Sequence, residues 1–99
     1  MVSVAMSILE NVLKMTRKTE KVIKIIHGYG SSGKGGAIKK ALHETLRHKM
    51  AKGEIKTFIP GEAFHQLMGL DDVIMQYRHL IQNDGDFKKG NDGITYIIF

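Results

Sequence analysis

The run Val22-Ile23-Lys24-Ile25-Ile26 is short, β-branched and almost wholly apolar, and it ends at His27 in a stretch carrying glycines at 28, 30, 33, 35 and 36. Helical spacing follows. Ile38, Ala41, Leu42, Thr45, Leu46 and Met50 recur at intervals of three and four, which predicts a helix from Ala37 to about Lys52, with Gly53 as its stop. A strand that passes through glycines into a helix points to an α/β fold. The apolar run itself reads as a strand covered on both faces, or as an interior strand.

The flanking segments extend the pattern. Ala5, Ile8, Leu9, Val12 and Leu13 place an amphipathic helix over Val4 to Met15, closed by Arg17-Lys18, with this apolar set on a core. A second strand is expected over Ile55 to Ile59, ended by Pro60-Gly61. Helix, strand, helix and strand joined by short links suit a layered α/β fold with parallel crossovers. Phe64, Leu67, Met68, Val73, Ile74, Tyr77, Leu80 and Ile81 imply one or two short helices broken at Gly69. The polar stretch from Gln82 to Gly93 reads as a mobile, turn-rich linker, and Ile94 to Phe99 as a closing strand.

With 99 residues and 42% apolar content the chain is expected to form one domain around one core. It has no cysteine, which removes disulfides and thiolate metal sites and suits the cytoplasm. Residues 1–13 lack a basic leader, and Glu10 and Asn11 interrupt them, so neither a signal peptide nor a membrane span is expected. The net charge of +5 is unevenly spread: residues 1–60 carry twelve Lys and Arg against four Glu, whereas residues 61–99 carry three against six acidic groups. A basic half of this kind attracts polyanions.

The glycine stretch is the candidate site. Backbone N–H groups of Gly28, Tyr29, Gly30, Ser31, Ser32 and Gly33 at the positive end of a helix suit an anion, with the Ser hydroxyls and Lys34 as further donors. His27, at the strand end, suits a general acid or base, a phosphate contact when protonated, or a hydrogen bond that holds the loop. Lys39, His43 and Arg47 fall at i, i+4 and i+8 beside this loop and could track a phosphate backbone, although a solvated face has the same pattern.

Other motifs fail on chemistry. Gly28 to Gly35 comes close to a nucleotide-binding P-loop, but Gly35 stands where a magnesium-ligating hydroxyl is needed. His43 to His48 resembles the zinc motif HExxH, but Arg47 replaces its second histidine. Asp84 and Asp86 lack the further ligands of a calcium loop. Asp71 and Asp72 read as charges at a helix start. His65 and His79 have no recognisable partners.

The sequence of features from the apolar strand through His27-Gly28-Tyr29-Gly30, helix and strand to the terminal Gly93-Ile-Thr-Tyr-Ile-Ile resembles the Smr (small MutS-related) domain over most of the chain. The resemblance implies a two-layer α/β sandwich like the C-terminal domain of bacterial translation initiation factor three, and binding of DNA or RNA. Several members of that family are endonucleases, so it also implies a nuclease alternative with His27 as the catalytic residue and, in that case, a divalent metal as cofactor. The chain departs from the family pattern in three places. The opening Asp-Leu-His-Gly strand is absent, Ser31 to Gly36 lengthens the loop, and residues 61–92 form an inserted segment. That segment, or a sheet edge left unpaired, is the expected surface for a homodimer or another protein partner.

Overall fold

The computed structural model describes residues 2–28 and 34–99. Its elements run α1 (Val2–Thr16), β1 (Val22–Ile26), α2 (Lys34–Ala51), β2 (Thr57–Pro60), a 3₁₀ turn (Gly61–Phe64), α3 (Asp71–Ile81) and β3 (Ile94–Ile98). The three strands make one sheet in the order β1-β3-β2, with β3 antiparallel to both neighbours. β1 and β2 therefore run parallel to each other with α2 as their crossover, but β3 lies between them, and among the described residues no parallel pair is hydrogen-bonded.

This topology makes β1 an edge strand, not the interior strand that its composition suggests. Four of its residues are partly buried and Ile26 is exposed, whereas every residue of β3 is buried. β2 starts two residues later than expected and includes Pro60, which an edge strand accommodates because one row of its backbone groups has no partner.

The fold is a two-layer α/β sandwich. Leu9 and Leu13 of α1, Leu42 and Leu46 of α2, Ile55 and Ile97 form the core between helices and sheet, with Ile23, Ile25 and Phe58 packed against it. Ile8, expected on the core face, is 59% exposed. The apolar arc of α1 is wider than the surface it covers. α2 begins at Lys34 and so absorbs Gly35 and Gly36, and it ends in a Schellman motif: Gly53 (φ +75°) donates to Met50 O, and Glu54 N to Lys49 O.

The segment 61–93 covers the opposite face of the sheet. Ala63 and Ile81 pack with Ile59, Ile94 and Tyr96 in a second apolar cluster, and Gly69 (φ +70°) separates the 3₁₀ turn from α3. Asp71 and Asp72 occupy the first turn of α3 without a side-chain capping bond. The 82–93 stretch is not a loose linker. Asp84 accepts from Tyr96 Oη (2.7 Å) and Lys24 Nζ (3.0 Å), and Asp86 accepts from Lys24 Nζ (2.7 Å) and Asn91 Nδ2 (3.1 Å). His65 also has a partner, the Lys88 carbonyl at 2.8 Å. No helix among the described residues is long and apolar enough to cross a membrane.

Candidate functional site

His27 follows the last residue of β1, and its amide and that of Gly28 both donate to the Gly93 carbonyl, at 2.9 and 3.0 Å. This fastens the strand end to the start of β3. Gly28 then turns with φ +85°, a conformation that disfavours any residue with a Cβ. Tyr29, Gly30, Ser31, Ser32 and Gly33 lie outside the described residues. Lys34 is the first residue of α2.

The imidazole of His27 faces β3, where the register pairs Ile25 with Thr95. Its Nδ1 lies 3.0 Å from the Gly28 carbonyl and its Nε2 lies 2.9 Å from Thr95 Oγ1. On the other side of the same hydroxyl, His43 Nε2 of α2 lies 2.9 Å from Thr95 Oγ1. The two rings stand edge to face at 6.0 Å, and Phe58 of β2 packs 5.2 Å from His43.

The donors can be assigned by elimination for neutral rings. A carbonyl only accepts, so His27 Nδ1 carries the proton and its Nε2 must accept from the Thr95 hydroxyl. Thr95 has one proton to give, so His43 Nε2–H donates to Thr95 Oγ1. The result is a directed chain, His43 to Thr95 to His27 to the Gly28 carbonyl. It leaves His43 Nδ1 with a lone pair and no partner among the described residues.

Both imidazoles are biased toward the neutral form. Burial pushes the His43 pKa down to about 4, and the nearby cationic charges of Lys39 and Arg47 act in the same direction. Burial also lowers the His27 pKa, opposed by its hydrogen bond to the Gly28 carbonyl. At neutral pH these rings offer hydrogen bonds and a basic nitrogen, not positive charge.

Lys39 lies one turn before His43 on α2, but its ammonium is engaged within the protein. It pairs with Glu62 Oε2 of the 3₁₀ turn and donates to the Asp92 carbonyl at 2.9 Å. Glu62 Oε1 is buried without a partner among the described residues. Arg47, one turn beyond His43, is exposed on the same helix. Among the described residues no group of three or more His, Asp or Glu is arranged to hold a metal ion.

The sequence pattern therefore locates His27, Lys39 and Arg47 near one another along β1 and α2, but it misses the residues that hold the site together. Thr95 and Glu62 carry no local signal, because their roles depend on sheet register and on the turn after β2. His43 was visible as the middle of the Lys39–Arg47 stripe. Comparison with known proteins gave no match to a family model, a curated protein or a solved structure.

Proposed function

We propose that this chain is an Smr-like domain that binds the phosphate backbone of DNA or RNA where β1 gives way to α2. The observation that carries this reading is the junction itself. The strand end presents His27 and Gly28 beside Thr95 and His43, and residue 34 then opens an 18-residue helix whose positive end faces back along the chain. The basic excess of residues 1–60 supports the same reading. Gly28 to Gly33 and Lys34 supply the phosphate donors in this reading. Lys39 acts as a tether for the 3₁₀ turn, and Arg47 is the more available cation of the stripe. The cysteine-free composition accords with work in the cytoplasm.

Labelled single-stranded and duplex DNA and RNA provide the test. Affinity should fall linearly on a log–log plot against salt, and binding that is unchanged between low and moderate salt would overturn the reading.

The His43–Thr95–His27 chain favours a second reading, a phosphodiester endonuclease. A neutral imidazole with an unpaired nitrogen can take a proton from an attacking hydroxyl, and the Thr95 bridge holds that imidazole in one tautomer. Cleavage of supercoiled DNA and structured RNA, with and without divalent metal, tests it in wild type, His27→Ala and His43→Ala. Variants that still bind but no longer cut support the nuclease. A wild type that binds and never cuts leaves the binding domain alone.

A further inference from the structure

The outer edge of β1 presents backbone groups that the sheet does not use. His27 N donates to Gly93 O and Phe99 N to Lys21 O, while the register pairs Val22 with Ile98 and Ile26 with Ile94. In an antiparallel ladder the hydrogen-bonded positions alternate, so residues 21, 23, 25 and 27 turn their peptide groups toward β3. Those of Val22, Lys24 and Ile26 turn away from it. Among the described residues no strand pairs with them.

One side of this edge is apolar. α1 and α2 enclose a groove of about 300 Å³ lined by Ala5, Ile8, Val12, Ile25, Ile26 and Ile38. Glu10 reaches Lys49 of α2 at 2.9 Å, and at roughly 100° per residue Ile8 lies almost opposite Glu10 on α1. Val4, Ile8 and Ile26 are 57%, 59% and 74% exposed.

The other side of the edge is acidic. Lys24 is held between Asp84 and Asp86, so this trio of side chains carries one net negative charge, and Asp84 Oδ1 has no hydrogen-bond partner among the described residues. A strand laid along β1 would alternate its side chains between the apolar groove and this acidic pair.

We infer that the β1 edge is an acceptor for an extended peptide segment in which apolar residues alternate with basic ones. Its backbone bonds the outward groups of Val22, Lys24 and Ile26. The apolar side chains enter the groove beneath Ile8, and a basic side chain between them shares Asp84 and Asp86. This mode adds a strand to an open sheet edge, with affinity from the main chain and selectivity from alternate side chains. It goes beyond the nucleic-acid reading and does not depend on it.

The probe is a fluorescein-labelled, amidated heptapeptide of alternating valine and lysine, with a comparator carrying glutamate in place of lysine. The lysine peptide should bind the full chain at least tenfold more tightly than the glutamate peptide. It should also slow amide exchange at Val22, Lys24 and Ile26 at least tenfold. Ile8→Ser and Ile26→Ser, both at exposed positions and checked for an unchanged thermal transition, should each weaken binding severalfold. Equal binding of the two peptides, or unchanged exchange at those three amides under saturation, overturns the inference. So does a chain that is dimeric by light scattering with these amides already protected, since the occupant would then be a second copy.

Discussion

His27 and His43 hydrogen-bond to opposite sides of one hydroxyl, Thr95 Oγ1, each at 2.9 Å. Thr95 is fully buried in the central strand, and both imidazoles are partly buried. Thr95→Val keeps the shape and removes both bonds. It should cost about 1–3 kcal/mol, as expected when buried polar groups lose their partner. Urea denaturation measures the loss. Histidine Cε1 proton titration should show both rings changing together, whereas a hydroxyl serving one ring only would shift one signal.

The depressed histidine pKa values set a pH window. A histidine that is neutral when folded takes up its proton more readily when unfolded, so stability is full above the unfolded value of 6.5 and declines as pH falls toward about 4 for His43. Denaturation at a series of pH values should show this decline, and His43→Leu should make it shallower. A variant whose curve is as steep as wild type between pH 6.5 and 4 would assign the decline to other groups.

Lys39 and Glu62 form a second tether. Removing the ammonium in Lys39→Met leaves a mostly buried carboxylate with one oxygen already lacking a partner, an arrangement that should cost about 3 kcal/mol. Glu62→Gln, which keeps an acceptor for Lys39 without the charge, should cost less. Thermal unfolding of the two variants reads the order directly. In the salt titration of nucleic-acid binding, Arg47→Ala should reduce the slope, whereas a slope equal to wild type would remove Arg47 from the phosphate surface.

Lys24 links the edge strand to the 82–93 stretch. Its hydrogen bond, with help from Asn91, holds the Asp86 carboxyl below its usual value of 3.8. A lowered carboxyl pKa stabilises the fold above the unfolded value and loses that contribution as pH falls through the folded one. Lys24→Met should therefore be less stable than wild type at pH 6, and the gap should close as pH falls below 3.8 and the carboxylates protonate. A gap of constant size across this range would mean that the lysine acts through packing alone.

Two glycines should respond very differently to alanine. At Gly61 an added Cβ would overlap the Asn91 carbonyl and lie 2.9 Å from Ile94 Cγ1, so the start of the 3₁₀ turn would have to move. At Gly53 the space is open and only the positive φ is strained. Gly53→Ala should cost about 1 kcal/mol, and Gly61→Ala clearly more. Chemical denaturation of the pair distinguishes collision from backbone strain.

Element types were largely legible in the sequence because periodicity and punctuation agree: helical spacing ending at Gly53, alternating glycines after β1, and the β-branched Ile94 to Ile98. Strand order was not legible. Ile23 and Ile25 are apolar because they face the helices, so the composition of β1 imitates that of an interior strand. The site was half visible for a similar reason. His27 announces itself by the glycines after it, but its partnership with Thr95 spans 68 positions and exists only through the β1–β3 register. The acidic 61–92 segment showed its charge but not its job, because Ile81 and Ala63 bury against the sheet through contacts that no local pattern records.

The placement of β3 also bears on how the chain comes to be folded. Among the described residues β1 and β2 each pair with β3 alone, and β3 is made after both of them. Until it emerges, α1, β1, α2 and β2 can collapse together but have no ladder to join, and their apolar strands stay open to other chains. Pairing is therefore deferred until β3 has been made, and the few residues from Ile94 to Ile98 decide whether β1 and β2 become a sheet at all.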